Sequence, residues 1–231
     1  MVISIHQPNY FPWLGYFYKI HESDYFVILD DVQFNNEGLQ NYHYIKTPQG
    51  SLRLKVPVKY NHGDVIKDVS INNSIDWRKK HLKTIEMNYK KSDYFDLIFK
   101  DYSDIIYSVD DSIADLCTAS IKFICDKFNF KTKIISSSTL GIDSAKTQRV
   151  VDICLALKGT QYLSGHGAKV YQDESLFERS SLGLSYSKFS PIHYKQLWNE
   201  EFQSNVSILD YLMNMGYNWD FIIENTENGN R

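Results

Sequence analysis

The sequence predicts an α/β fold: a Rossmann-like, mainly parallel sheet with helices on both faces, plus a small antiparallel β insertion. Two observations carry this. The run YFVIL, Tyr25 to Leu29, is continuously apolar, as expected of a parallel strand covered on both faces. The order strand, helix, strand occurs at the N-terminus (VISIH, LGYFYKIHES, YFVIL) and again late in the chain (TKIISSS, Thr147 to Leu157, TQYLSG).

VISIH is β-branched and meets QPNYFPW, whose two prolines end the strand in a loop. The following helix leads into the second strand, and such a crossover is right-handed. From about 35 to 75 the texture changes to short segments such as SLRLKVPVKY and DVIKDVSINN separated by PQG and NHGD, which predicts antiparallel strands and turns. A helical stretch then covers about 76–128. DWRKKHLKTIEMNY starts on an acid suited to an N-cap, and Ser112 to Phe128 repeats Ile113, Leu116, Cys117, Ser120, Ile121, Ile124, Cys125 and Phe128 every three or four residues. In the late block Gly159 reads as a helix stop, Glu174 to Arg179 as a short helix, and SILDYLMNMG as a helix near the C-terminus. The tail ENTENGNR is expected to be disordered. The expectation is thus a single domain over 1–231.

At 231 residues with 43% hydrophobic, the chain can bury a core without disulfides or metal. With 25 Lys and Arg against 28 Asp and Glu, the formal charge of -3 lacks the global footprint of a duplex nucleic-acid binder. No run approaches the roughly 20 apolar residues of a membrane span, and MVISIHQPNY lacks the features of a signal peptide. A cytoplasmic location is expected. Cys117, Cys125 and Cys154 form no CxxC pair and read as reduced, buried thiols, so no metal site is expected from them. The 17 tyrosines suit either an aromatic core or a pocket for a polar ring.

In an open α/β sheet, ligands sit beyond the carboxyl ends of the strands. Three loops fall there. The first holds His6, Gln7, Asn9 and Tyr10, stiffened by prolines and followed by Trp13 and Lys19; the second holds Asp30, Asp31 and Gln33; the third holds Ser164, Gly165 and His166. A histidine braced at a strand end suits a general base or an orienting donor. Of two adjacent aspartates at most one faces the crevice directly, where it suits base, ribose or magnesium contacts. The glycines of SGHG free backbone N–H groups for a phosphate or sugar, and Lys146 and Thr147 open a helix that suits a diphosphate. Neither GxGxxG, GxxxxGK[ST] nor GxSxG occurs. For each loop, an ordinary polar strand end or turn competes with the functional reading. The run Asn41, Tyr42, His43, Tyr44 adds a polar and aromatic cluster suited to stacking on a base or sugar, or to an exposed strand.

Together HQPNYFPWLGY, DDVQF, VPV, WRKKHL, STLG with the following KT, YLSGHGAKVY and SILDYL resemble the WbqC-like family over nearly the whole chain. The resemblance implies a role in bacterial O-antigen and surface-polysaccharide (lipopolysaccharide) biosynthesis, with transfer of a glycyl or other aminoacyl group onto an amino sugar. It points to His6, Gln7, Pro8, Tyr10, Pro12, Trp13, Gly15, Lys19, Asp30, Asp31, Asn41, Lys146, Thr147, Ser164 and Gly165. Where relatives carry arginines after the position of Asn41, this chain has Tyr42 and Tyr44. The start of the chain also resembles the pantothenate-synthetase-like nucleotidyltransferases, without their HxGH signature; this would put a nucleotide beside DDVQF.

The expectation is therefore a transferase acylating the amine of a nucleotide-linked amino sugar, with His6, Asp30, Asp31 or His166 in the acid–base chemistry. Gln7, Asn9, Tyr10, Trp13, Lys19, Gln33, Asn41, Lys146, Thr147, Ser164 and Gly165 would bind substrate. A nucleotide-dependent ligase or nucleotidyltransferase using ATP and magnesium, and a non-catalytic sugar-nucleotide binder, are the competing readings. The acyl donor (a charged tRNA, an adenylate or a thioester) and a homodimer are left open.

Overall fold

The computed structural model describes residues 1–170, 172–198 and 201–229. The chain divides into two compact units that interleave along the sequence. The first comprises Met1–Gln7, Gly15–Val32 and Phe130–Phe189; the second comprises Pro8–Leu14, Gln33–Asn129 and Ser190–Arg231.

The first unit is the parallel sheet. Strands β1 (Val2–His6) and β2 (Tyr25–Ile28) are joined by helix α1 (Leu14–His21). The order across the sheet is β7-β2-β1-β8-β9, where β7 is Lys133–Ser136, β8 is Gln161–Ser164 and β9 is Gly183–Tyr186. Every pairing is parallel. Alternation along β1 sends Ile3 and Ile5 to one face, where they pack with Val151, Cys154 and Phe177 from helices α5 (Lys146–Ala156) and α6 (Glu174–Arg179). On the other face α1 covers the sheet through Tyr16 on Phe26, with ring centroids 5.1 Å apart, and through Ser23 Oγ, 2.6 Å from Ser4 Oγ. The α/β class with helices on both faces is thus observed. Gly159, at the turn after α5, does more than stop a helix: a Cβ there would lie 2.5 Å from Ile3 Cγ1, so the turn needs the bare backbone.

The second unit holds the antiparallel insertion and the helices. Strands β3 (Tyr42–Thr47) and β4 (Gly50–Lys55) form a hairpin, and β5 (Val58–Lys59) pairs with β6 (Ser70–Ile71). Helices α2 (Trp77–Tyr89), α3 (Phe95–Ser108) and α4 (Ile113–Lys127) follow. Asp76 caps α2 by accepting from Lys79 N, and Ser112 caps α4 by accepting from Asp115 N. The stripe predicted for α4 is buried throughout, with both its cysteines inside, where burial pushes the thiols of Cys117 and Cys125 up.

Three elements go beyond expectation. Helix α3 falls within the predicted helical stretch of about 76–128, where the sequence marks out no separate helix; its buried Ile98, Tyr102, Ile105 and Ile106 have helical spacing, but exposed Leu97 and Tyr107 blur the stripe. Strand β9 follows α6 where the sequence predicts no element. The C-terminus carries α7 (Ile208–Met215), as predicted, and also α8 (Trp219–Gly229), so ENTENG is helical rather than disordered: buried Trp219 and Ile222 anchor it. Asn230 and Arg231 of that tail, and Tyr171 of YLSGHGAKVY, lie outside the described residues. No helix among the described residues is long and apolar enough to cross a membrane.

Candidate functional site

From β1 the sheet runs one way to β2 and β7 and the other way to β8 and β9, so the strand order reverses between β1 and β8. Ligand crevices of open α/β sheets form at such a switch point, beyond the carboxyl ends of the strands. A cavity of about 680 Å³ sits there. Its wall comprises Ile5, His6 and Gln7 after β1, Leu29 and Val32 after β2, the start of α5, Tyr162 of β8, and Ala168 and Gln172 beyond it.

His6 is half-buried, and its ring has a defined tautomer. Nδ1 lies 3.0 Å from the Gln7 carbonyl, which only accepts, so Nδ1 carries the proton and Nε2 presents its lone pair. The same carbonyl accepts from Tyr16 Oη at 3.1 Å, and the Tyr16 ring packs edge-on to the imidazole with centroids 4.8 Å apart. Burial, with the nearby Lys19 ammonium, lowers the His6 pKa to about 3, so the ring is neutral through the physiological range. Lys19 is itself 4% exposed, donates to Ile5 O at 3.2 Å, and is lowered by burial to about 7. It is not part of the cavity wall, and it acts on His6 through its charge.

The aspartates after β2 divide their tasks. Asp30 accepts from Ser138 N at 3.0 Å and Ser138 Oγ at 2.7 Å, which fastens the turn after β7. Asp31 accepts from Ser137 Oγ and pairs with Arg149 Nη2, each at 2.5 Å. Arg149 also donates from Nη1 to Ile142 O at 2.7 Å and Ser144 O at 3.0 Å, while its buried Nε has no partner. With their oxygens held this way, Asp30 and Asp31 shape the wall, and the expected base or magnesium role would require breaking these bonds. Among the described residues no group of three or more His, Cys, Asp or Glu is placed to hold a metal ion.

At the rim, Lys146 begins α5 with φ 55°, a left-handed conformation rare for a residue with a Cβ and typical of strain kept at binding sites. The residue before it, Ala145, offers no side-chain cap, so the α5 N-terminus keeps N–H groups for a ligand. Lys146 is exposed and has no ion-pair partner among the described residues. Thr147 Oγ1 accepts from Asp173 N at 3.1 Å, tying α5 to the start of α6. Ser164 donates to Gln172 Oε1 at 3.0 Å and so positions a wall residue. The polar side chains of the cavity wall are cations, amides and an imidazole. Of the two aspartates after β2, Asp31 is neutralised by Arg149 and Asp30 is held by serine and backbone donors. Such an arrangement suits an anion beside a neutral histidine lone pair.

Other predicted residues lie elsewhere. His166 is exposed in a short 3-10 turn after β8 and, like Gly165, forms no part of the wall. Asn9, Tyr10, Trp13, Gln33 and Asn41 belong to the second unit. Asn41 is buried with Nδ2 donating to Val56 O at 3.1 Å, and Gln33 bridges to Val65 through the backbone. Tyr10 is fully buried in a hydroxyl chain. His81 Nε2 lies 3.3 Å from Lys55 O and must donate; its Nδ1 therefore accepts from Tyr102 Oη at 3.2 Å, and Tyr10 Oη donates to Tyr102 Oη at 3.1 Å. Burial holds His81 neutral, at about 4. Arg149 and Gln172, which sequence reasoning missed, belong to the cavity; an arginine one turn into an apolar helix beside KT was the available signal for the first, and none existed for the second.

Comparison with known proteins bears on this arrangement. The chain is 33% identical over 219 residues, covering 93% of this chain and 94% of the relative, to the uncharacterized protein Rv1507c of Mycobacterium tuberculosis. No solved structure matches. The WbqC-like protein family model matches residues 7–219, which takes in the loops of the cavity from Gln7 through Gln172. The chain belongs to the WbqC-like protein family.

Proposed function

We propose that the cavity binds a nucleotide-linked amino sugar and that the protein transfers a glycyl or similar aminoacyl group to the sugar's amine, in cytoplasmic assembly of a surface polysaccharide. The amine nitrogen attacks the acyl carbonyl carbon and a C–N bond forms. The bond from that carbon to the donor's oxygen or sulfur breaks, and the amine proton passes to His6 Nε2. The observation that carries this reading is the His6 tautomer: an imidazole fixed through Nδ1 with Nε2 unprotonated is a proton acceptor held in one direction. At about 3 that acceptor is weak. An anionic substrate beside it offsets the Lys19 charge and raises its basicity, so base strength comes with substrate binding. Lys146 and the uncapped start of α5 supply the phosphate contacts.

The test is thermal stabilisation across nucleotide sugars, ATP and coenzyme A, followed by an acylation assay with the amino-sugar nucleotide that stabilises most. The expected result is a higher Tm with an amino-sugar nucleotide, and product formation that falls when His6 is replaced. Stabilisation by ATP alone would replace this reading with a nucleotide-dependent ligase. Tight sugar-nucleotide binding with no reaction from any activated acyl donor, charged tRNA included, would replace it with a binding protein.

A further inference from the structure

The second unit contains another cleft, of about 570 Å³, that the proposed reaction does not use. Trp77, Lys80 and His81 line it from α2 at spacings of three and four, so they share one helix face. Lys55, Pro57 and Val58 line it from the end of β4 and from β5, and Asn36, Tyr60, Asn72 and Ile75 complete it. Its charged side chains are cations. Neither the Lys55 nor the Lys80 ammonium has an ion-pair partner among the described residues, and no carboxylate lines the cleft. Trp77 is 2% exposed and contributes ring surface to the lining. The partner that two free ammonium groups would recruit is a carboxylate or phosphate oxygen. Tyr60 and Ile75, each 43% exposed, add an apolar wall.

We propose that this cleft binds a small organic oxyanion, a carboxylate or phosphate ester on a ring or short apolar body. The oxyanion takes the two ammonium groups, and the body rests on Tyr60 and Ile75. Binding is independent of the cavity in the parallel-sheet unit.

The test titrates the full chain with benzoate, phenyl phosphate and neutral benzyl alcohol, by calorimetry and by amide chemical shifts. The expected result is a Kd of about 1 mM or tighter for at least one anion, with shifts at α2 and β5 and none for benzyl alcohol. Benzoate alone identifies a carboxylate site and phenyl phosphate alone a phosphate-ester site. Lys80→Gln and Lys55→Gln should each weaken binding roughly tenfold, whereas His6→Gln should leave it unchanged. Equal binding of benzyl alcohol, no anion binding at about 10 mM, or lysine variants that bind like the parent would overturn the proposal.

Discussion

Two histidines, one in each unit, show how the same side chain serves opposite ends. His6 is fixed through one nitrogen and presents the other to a cavity, whereas His81 has both nitrogens engaged, one by Tyr102 and the other by a backbone carbonyl. Both are neutral because burial disfavours their charged forms. What separates them is the unspent lone pair. A low pKa alone marks neither as functional; the open valence does. The run HQPNY divides in the same way, since His6 and Gln7 belong to the sheet unit while Asn9 and Tyr10 belong to the other. A motif contiguous in sequence here supplies a cavity wall in one unit and a closed hydroxyl chain in another.

The sharpest way to break this comparison is to exchange the outcomes of the two histidines. His6→Gln should lower acylation about 10²- to 10⁴-fold, the range for a lost general base, while moving the urea midpoint little. A large loss of stability with unchanged turnover would put His6 in the same class as His81. Next in size is Arg149→Met. It leaves Asp31 charged and half-enclosed without its partner and should cost about 3–5 kcal/mol in urea unfolding, with much of the loss recovered in the double variant carrying Asp31→Asn. An additive double variant would show that the pair does not act as a unit.

Tyr102→Phe should cost about 1–3 kcal/mol, because the His81 Nδ1 acceptor loses its closest donor within a buried chain, and it should leave acylation unaltered. A pH-dependent effect concerns Lys19. Its folded pKa of about 7 lies below its ordinary 10.5, so between those values the unfolded chain binds more protons and stability rises with pH. Lys19→Met should flatten that rise in Tm between pH 7 and 10. An unchanged slope would mean that another group titrates there.

The parallel strands were legible because a strand buried on both faces has to be apolar throughout, as Tyr25 to Leu29 is. Helix α4 was legible for the complementary reason that its apolar stripe is unbroken. Helix α3 was legible only as part of a helical stretch and not by its own bounds, since Leu97 and Tyr107 place large apolar groups on its solvent face, and α8 hid behind Asn and Glu whose helicity depends on Trp219 and Ile222 being packed. Within the site, His6, Gln7, Lys146 and Thr147 could be found because strand ends and helix starts are local features. The engagement of Asp30 and Asp31 could not, because their partners Ser137, Ser138 and Arg149 come from more than a hundred residues away and only folding brings them together.

The interleaving of the units also sets a timetable. Strand β2 pairs along its length with β7, Tyr25 opposite Lys133 and Ile28 opposite Ser136. At a synthesis rate of roughly 5–20 residues per second, the apolar edge of β2 waits about 5–20 s after its own translation for that neighbour to be made. During that interval the ribosome extrudes Gln33–Asn129 of the second unit, while the β1–α1–β2 piece exposes apolar strands to other chains. Faster elongation or an early-binding chaperone should therefore raise the soluble yield more than any substitution on the finished surface.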